Sequence, residues 1–131
     1  MIEARIGRLG LRIRPGEHFD LTNVNDDPRF NEYWQLYHEI MARRGVTPAA
    51  AKAVVRSRAT VIAALMLRRG EADAMLCGIV GRYQKKLAYI LNVLGRDAGV
   101  SRTAALSAVI NDKGVFFFVD THVQVDPSAE M

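Results

Sequence analysis

The sequence has a single cysteine, no long apolar run and no dense block of positive charge, and each shortage excludes a class of protein. One cysteine, Cys77, cannot form an internal disulfide. The longest apolar stretch, residues 59–67, is far shorter than the roughly 20 residues that a membrane-spanning helix needs. The amino terminus shows no secretion signal. We therefore expect a cytoplasmic protein with no membrane partner.

Positive charge is only in mild excess. The chain of 131 residues has 18 Lys and Arg against 14 Asp and Glu, a formal net charge of +4. No segment combines a dense basic run with interleaved aromatic residues, so we expect no nucleic-acid partner. The three histidines, His18, His38 and His122, share no metal-ligand spacing with one another or with the cysteine. The sequence therefore predicts no metal site.

Apolar spacing, capping residues and terminal glycines predict five helices in one domain. The clearest helix has Asp27 as N-cap and Pro28 at its first position, and its aromatic stripe indicates core or a subunit contact. A further helix start is predicted at the end of the chain by Asp126, Pro127 and Glu130. The five helices are predicted over residues 2–9, 28–44, 48–57, 58–69 and 83–94, the last with Tyr83, Leu87, Ile90, Leu91 and Leu94 buried.

Short apolar runs bounded by turn residues predict four strands, over residues 18–24, 72–78, 103–110 and 115–123. The second is almost continuously apolar, as a strand buried on both faces is. The last two are joined by Asn-Asp-Lys-Gly, which favours a tight hairpin. Because strands alternate with helices, the predicted fold class is α/β, a layered α/β/α arrangement with a mostly parallel sheet that is extended by an antiparallel hairpin.

The stretch CGIVGRYQKK, residues 77–86, runs from a predicted strand through a glycine-flanked turn into a helix. Backbone amides and the helix dipole at such a start favour an anion, and Arg82, Lys85 and Lys86 add positive charge. The spacing matches neither the dinucleotide fingerprint nor the P-loop. Two interpretations stay open: a site for a phosphate-bearing ligand, or a solvated helix start that exposes its cations.

Two other groups of polar residues have plainer interpretations. Cys77 is interpreted as a small buried thiol that is inert, because no histidine lies near it in the sequence to activate it. Asp120 and His122 alternate with an apolar run, which is typical of an exposed strand end.

Ordered blocks of residues along nearly the whole chain carry a family resemblance. The blocks are DPR and YW within residues 27–34, RRGVT at 43–47, GEADAM at 70–75, CG at 77–78, GRY at 81–83, and the phenylalanine run followed by Asp120 and Pro127. In this order they resemble the phosphate acetyltransferase (phosphotransacetylase) family. More narrowly, they resemble the phosphotransacetylase-like carboxy-terminal region of hybrid NADP-dependent malic enzymes.

The resemblance implies that residues 1–131 are one domain, a middle lobe of a larger two-lobed region that binds acetyl-CoA. It implies the remainder of the parent chain and a second copy, at least a dimer, as partners. The NADP and divalent metal of malate oxidation would be bound elsewhere in the parent. The residues expected to hold acetyl-CoA or its phosphates are Gly78, Gly81, Arg82, Tyr83, Lys85, Lys86, Arg43 and Arg44.

Departures from the active transferases favour regulation over catalysis. Where those enzymes typically have a serine, a histidine and then a helical arginine associated with coenzyme A, this sequence has Cys77, Gly81 and Ala88. A second such arginine would fall near Met41. The leading hypothesis is therefore an acetyl-CoA-binding regulatory and oligomerisation module with no catalytic residue. The alternatives are an active phosphate acetyl/butyryltransferase and a structural lobe without a ligand.

Overall fold

A computed structural model describes residues 2–126, which form five α-helices and one antiparallel hairpin. In chain order the elements are α1 (Ile2–Arg8), α2 (Phe30–Met41), one 3-10 turn (Ala42–Arg44), α3 (Pro48–Ser57), α4 (Ala59–Arg68), α5 (Tyr83–Leu94), β1 (Leu106–Asn111) and β2 (Gly114–Val119). The five predicted helices and the hairpin are confirmed. The helix start predicted from Asp126, Pro127 and Glu130 lies outside the described residues except for Asp126. In this part of the chain, no helix is long and apolar enough to cross a membrane.

Capping residues explain where α2 and α3 begin. Thr47 Oγ1 accepts a hydrogen bond from the amide of Ala50 at 3.2 Å, and Pro48 occupies the first position of α3. Before α2, Asp27 Oδ1 accepts the amide of Arg29 at 2.8 Å. That bond closes a turn that precedes the helix, so α2 begins at Phe30 and not at Pro28 as predicted.

The core lies between α2, α3, α4 and α5. Each helix contributes one apolar face, and α4, which packs against the other three, contributes the most buried residues. This arrangement follows from the sequence because each of the four helices has apolar residues at helical spacing. The buried core residues of these helices are Tyr33, Tyr37, Met41, Ala51, Val55, Val61, Ile62, Ala64, Leu65 and Val93.

The buried face of α5 differs from the prediction. Val93 is the fully buried residue of this helix, whereas Tyr83 is 42% exposed and Leu87, Ile90, Leu91 and Leu94 are half-buried. The spacing of apolar residues predicted a broad buried face on α5. A helix face is buried, however, only where another element packs on it. Within residues 2–126, the helices that pack on α5 are α4 and α2, and no other helix or strand does.

The predicted hairpin forms with shorter strands, since β1 begins at Leu106 and not at residue 103, and β2 ends at Val119 and not at residue 123. Two other predicted strands do not form. β1 and β2 pair antiparallel from Leu106 opposite Val119 to Asn111 opposite Gly114. Residues 18–24 contribute only an isolated bridge between Pro15 and Phe19, and residues 72–78 have no strand structure. A strand needs a neighbour to satisfy its backbone hydrogen bonds, and the described residues place none beside these segments. The layered α/β/α arrangement with a parallel sheet stays a prediction.

A cluster of polar side chains links the start of α2 to the residues that directly follow α4. The hydroxyl of the fully buried Tyr33 donates to Glu71 Oε2 at 2.6 Å, and Glu71 also pairs with Arg29, at 3.1 Å, and with Arg69, at 2.5 Å. The guanidinium carbons of both arginines lie 5.5 Å from the centre of the Tyr33 ring. Burial and this carboxylate raise the pKa of Tyr33, so it remains a neutral donor. We call Asp27, Arg29, Tyr33, Arg69 and Glu71 the polar seam.

Replacing the Tyr33 hydroxyl tests the seam directly. Tyr33→Phe keeps the buried ring but removes the donor to Glu71, and hydrogen bonds to charged groups contribute about 1.5–3 kcal/mol. We expect the free energy of unfolding to fall by about that amount in urea denaturation. Tyr83→Phe, at an exposed position, is the matched control and should leave stability unchanged. Equal stability of the two variants would contradict the role of the seam.

Acid should weaken the seam. The hydrogen bond from Tyr33 lowers the pKa of Glu71 below its usual 4.5, and the hydrogen bond from the Arg29 side chain lowers that of Asp27 below 3.8. Their contribution to stability is therefore complete above those usual values and is lost as the pH falls through the lower folded values. We expect Glu71→Gln to lose less unfolding free energy than wild type between about pH 6 and pH 3. The exposed Glu39→Gln should follow the wild-type curve, and a wild-type curve for Glu71→Gln would refute this assignment.

Candidate functional site

The turn before α5 has the conformation that its glycines suggested. Gly78 and Gly81 adopt φ values of 111° and 98°, which residues with a side chain rarely adopt. Arg82 is extended, and α5 begins at Tyr83 with no side-chain cap and no acidic residue in its first turn. The first amides of α5 therefore have no side-chain acceptor, and the positive end of the helix dipole is not offset by a carboxylate of that turn.

A cavity of about 620 Å³ lies between this turn and the start of α4. One wall is made by the junction of α3 and α4, and the other by the turn and by residues of α5 as far as Asn92. We call it the main cavity. Its lining residues are Arg58, Thr60, Val80, Gly81, Arg82, Lys85, Lys86, Ala88, Tyr89 and Asn92.

The lining of the main cavity is strongly positive. Four cations, Arg58, Arg82, Lys85 and Lys86, line it and no carboxylate does. Among residues 2–126, the ion pairs of the structure use other residues, so these four charges are not neutralised by salt bridges. Cations that line one cavity without acids attract an anion, because the field of each adds to that of the others.

Two contacts hold the walls of the main cavity together. Lys86 Nζ donates to Thr60 Oγ1 at 3.0 Å, and Thr60 is only 4% exposed. Arg58 extends from the opposite wall, where its guanidinium carbon lies 6.0 Å from the centre of the Tyr89 ring. The start of α4 and the start of α5 are thus joined across the cavity, and charges from both elements face the same space.

A smaller cavity of about 160 Å³ adjoins the turn on the side of Cys77, Gly78 and Tyr83. The Tyr83 ring lies 5.0 Å from the ring of His122, centre to centre. The prediction that Cys77 is buried is wrong, because its segment does not become a strand and the thiol is exposed. Asp120 accepts the amides of His122, Val123 and Gln124 at 2.9–3.0 Å, so its carboxylate orders the chain after β2, and these bonds lower its pKa.

The structure separates the eight residues expected to bind a ligand. Gly81, Arg82, Lys85 and Lys86 line the main cavity, while Gly78 and Tyr83 line the smaller one together with Gly81 and Lys86. Arg44 donates to Asn92 Oδ1 and lines a third cavity on another side of α5. Arg43 is exposed and lines none of these three cavities.

Among the residues that line the main cavity, sequence reasoning missed both that come from the junction of α3 and α4, Arg58 and Thr60. They lie about two dozen residues before the α5 start, at the break between α3 and α4. The one available signal was the pair of basic residues in RSRA, residues 56–59, where a helix ends and another begins. That signal does not reveal which later segment packs beside it.

The sequence is similar to part of two kinds of known protein, malic enzymes and phosphate acetyltransferases. It is 45% identical over 130 residues to the NAD-dependent malic enzyme of Rhizobium meliloti (strain 1021) and 46% identical over 130 residues to the NADP-dependent malic enzyme of Escherichia coli (strain K12), in each case over 99% of this chain. It is 26% identical over 129 residues, or 98% of this chain, to the phosphate acetyltransferase of Nitratidesulfovibrio vulgaris. The chain spans 17% of the length of the two malic enzymes and 18% of the transferase.

The match to a family model is complete along the chain. All residues from 1 to 131 align with the model described as Phosphate acetyl/butaryl transferase. The resemblance inferred from the ordered blocks is therefore confirmed, and so is its narrower form, because the malic enzymes are much more similar to this chain than the transferase is. This chain belongs to the phosphate acetyl/butaryl transferase family.

Proposed function

We propose that this chain is the acetyl-CoA-binding regulatory and oligomerisation module of an NADP-dependent malic enzyme. Malate would be oxidised and decarboxylated to pyruvate in another domain, which would bind the NADP and the divalent metal. The higher identity to malic enzymes than to a phosphate acetyltransferase supports this proposal. A cytoplasmic location and a homo-oligomeric state belong to the same proposal.

The main cavity is the observation that carries the ligand assignment. Coenzyme A has a 5′-diphosphate and a 3′-phosphate, and these groups suit a cavity lined by four cations and no carboxylate. The uncapped start of α5 adds backbone amides, which favour phosphate oxygens. A volume of about 620 Å³ lies in the range of small-molecule sites.

Regulation would follow from the position of the main cavity between two helices. Arg58 lies on the α4 side, and Arg82, Lys85 and Lys86 lie on the α5 side. A phosphate-bearing ligand that contacts both sides binds best when the two helix starts are close. It would shift the enzyme toward that arrangement by its difference in affinity, typically about 1–3 kcal/mol.

Two residues support regulation over acyl transfer. Ala88 lines the main cavity at the position where the resemblance places a coenzyme A arginine, so the structure has a methyl group there. Met41, near the position of the second such arginine, is buried in the core, where a guanidinium would lose its hydration. Binding would then depend on Arg58 and on the cations of α5.

The alternative function is transfer of an acetyl or butyryl group between coenzyme A and phosphate. The relationship to phosphate acetyltransferases, at 26% identity, favours this possibility. The smaller cavity beside Gly78 also adjoins the main cavity, with Gly81 and Lys86 lining both, and would offer space for a second, smaller reactant.

The effector role is tested by titrating the full-length protein with acetyl-CoA while malate oxidation is measured. Arg82→Gln combined with Lys85→Gln removes two cavity charges and no salt bridge among the described residues. We expect the acetyl-CoA concentration for a half-maximal effect to rise at least about tenfold, because charge-assisted hydrogen bonds are lost. The exposed Arg12→Gln, which lines none of the three cavities, is the control. An unchanged midpoint in the double variant would refute the site.

Acyl transfer is tested in the same preparation by supplying acetyl-CoA and inorganic phosphate and measuring acetyl phosphate. We expect none above the level without protein, because two coenzyme A arginines implied by the family are replaced. Acetyl phosphate that disappears in the Arg82→Gln, Lys85→Gln variant would establish the transferase alternative. If labelled acetyl-CoA did not bind the wild-type protein, the result would favour the remaining hypothesis, a structural lobe that binds no ligand.

A further inference from the structure

We infer that Asp120 and His122 are positioning residues for the candidate site, because they hold the start of α5 in place from the segment that follows the hairpin. This inference rests on the proposed function and names two residues outside the cavities on which ligand binding depends. Neither residue lines the main, the smaller or the third cavity. Each acts through another residue, Asp120 through His122, and His122 through Tyr83.

The start of α5 needs contacts from other parts of the chain to stay ordered. Arg82, the residue before the helix, provides no side-chain cap. The turn that precedes it is poorly packed, since Ile79 and Val80 are both exposed. An uncapped helix end frays, and a turn with few buried contacts opens at a low cost in free energy. The arrangement of the cavity cations on this part of the chain therefore depends on what holds the first turn of α5.

Side chains from two parts of the chain contact this first turn. From α4, Thr60 Oγ1 accepts a hydrogen bond from Lys86 Nζ at 3.0 Å. From the segment after β2, the His122 ring lies 5.0 Å from the Tyr83 ring, centre to centre, with 31° between the ring planes. Aromatic rings at this separation attract each other beyond the area that they bury. Because Tyr83 is the first residue of α5 and follows Arg82 directly, a contact at its ring restrains the turn and the helix start together.

Asp120 orders the segment that contains His122. Its carboxylate accepts the amides of His122, Val123 and Gln124 at 2.9–3.0 Å, so three consecutive residues are bound to one side chain. Hydrogen bonds to an ionised acceptor are roughly twice as strong as neutral ones. A histidine on an unordered segment would lose conformational freedom on packing against Tyr83. The bonds to Asp120 order the segment beforehand and so reduce that cost.

The same segment is joined to the start of the hairpin. The side-chain amide of Gln124 donates to the carbonyl oxygen of Thr103 at 3.0 Å, and the hydroxyl oxygens of Ser107 and Thr121 lie 2.6 Å apart. Within residues 2–126 no helix packs on either strand, so the contact between this side of the chain and α5 is made by the residues after β2. A displacement of the hairpin would therefore change the restraint on the start of α5.

The inference is tested in the full-length protein by two measurements. Acetyl-CoA binding is followed by calorimetry, and hydrogen exchange of residues 77–86 is followed by mass spectrometry without ligand. His122→Ala removes the ring that contacts Tyr83, so we expect the affinity for acetyl-CoA to fall about two- to tenfold and the amides at the α5 start to exchange faster. Tyr83→Ala should weaken binding as well. The double variant should lose no more than the larger single loss, because the two residues form one contact.

Further variants separate positioning from a general effect of substitution. His122→Phe keeps an aromatic ring and should retain the wild-type affinity and exchange. Asp120→Ala removes the acceptor of three amides and should weaken binding, and adding His122→Ala to it should cause no further loss. Val125→Ala, at a fully exposed position in the same segment, is the matched control and should behave as wild type.

The outcomes separate this inference from the proposed function. Wild-type affinity and exchange in His122→Ala would overturn the inference and leave the acetyl-CoA site in place. Losses that multiply in the double variant of Tyr83 and His122, or weak binding by His122→Phe, would overturn it as well. A wild-type protein that binds no acetyl-CoA would refute the proposed function. The exchange of the α5 start in His122→Ala would then decide by itself whether this contact positions the helix.

Discussion

Packing of α5 against α4 is the contact on which the candidate site depends. Val93 is buried against the core, and its carbonyl oxygen accepts a hydrogen bond from Arg68 at 2.5 Å, which fixes the end of α5 to the end of α4. Near the other end, Lys86 reaches Thr60 at the start of α4. With both ends fixed, the cations that precede and begin α5 face Arg58 across a single cavity. Were α5 to separate from α4, the same residues would be an ordinary solvated helix start.

The molecule has two concentrations of charge, and their partners distinguish their roles. In the polar seam, Arg29 and Arg69 are paired with Asp27 and Glu71 around the buried Tyr33, so the charges are compensated within the protein. Such a cluster links two helices, because the hydroxyl of the buried Tyr33 would lose its acceptor if Glu71 were removed. The cations of the main cavity have no carboxylate among the lining residues. A bound anionic ligand would neutralise these cations. We therefore assign ligand binding to the cations of the main cavity and stability to the polar seam.

The apolar surface of the described chain is consistent with the proposed role as one part of a larger assembly. Within residues 2–126, neither α1 nor the hairpin packs against another helix or strand. Phe116, Phe117 and Phe118 are each 46–63% exposed. Ile2 in α1 and Leu9 just after it are exposed as well. Contiguous exposed apolar residues on a folded protein commonly mark interaction surfaces. The malic enzymes that match this chain are about six times its length.

Local chemistry determined much of the fold. Thr47 and Pro48 set the start of α3, glycines end four of the helices in left-handed conformations or extended turns, and the Asn-Asp-Lys-Gly sequence closes the hairpin, because capping and turn preferences act over a few residues. The sequence also predicted the cationic start of α5 and the family. Tertiary structure decided the rest. It brought Arg58 and Lys85 to the lining of one cavity and Arg44 and Arg96 to that of another, made Val93 the buried residue of α5, and left residues 72–78 without a strand partner. These outcomes depend on which distant segments pack together, and a local sequence pattern does not determine that packing.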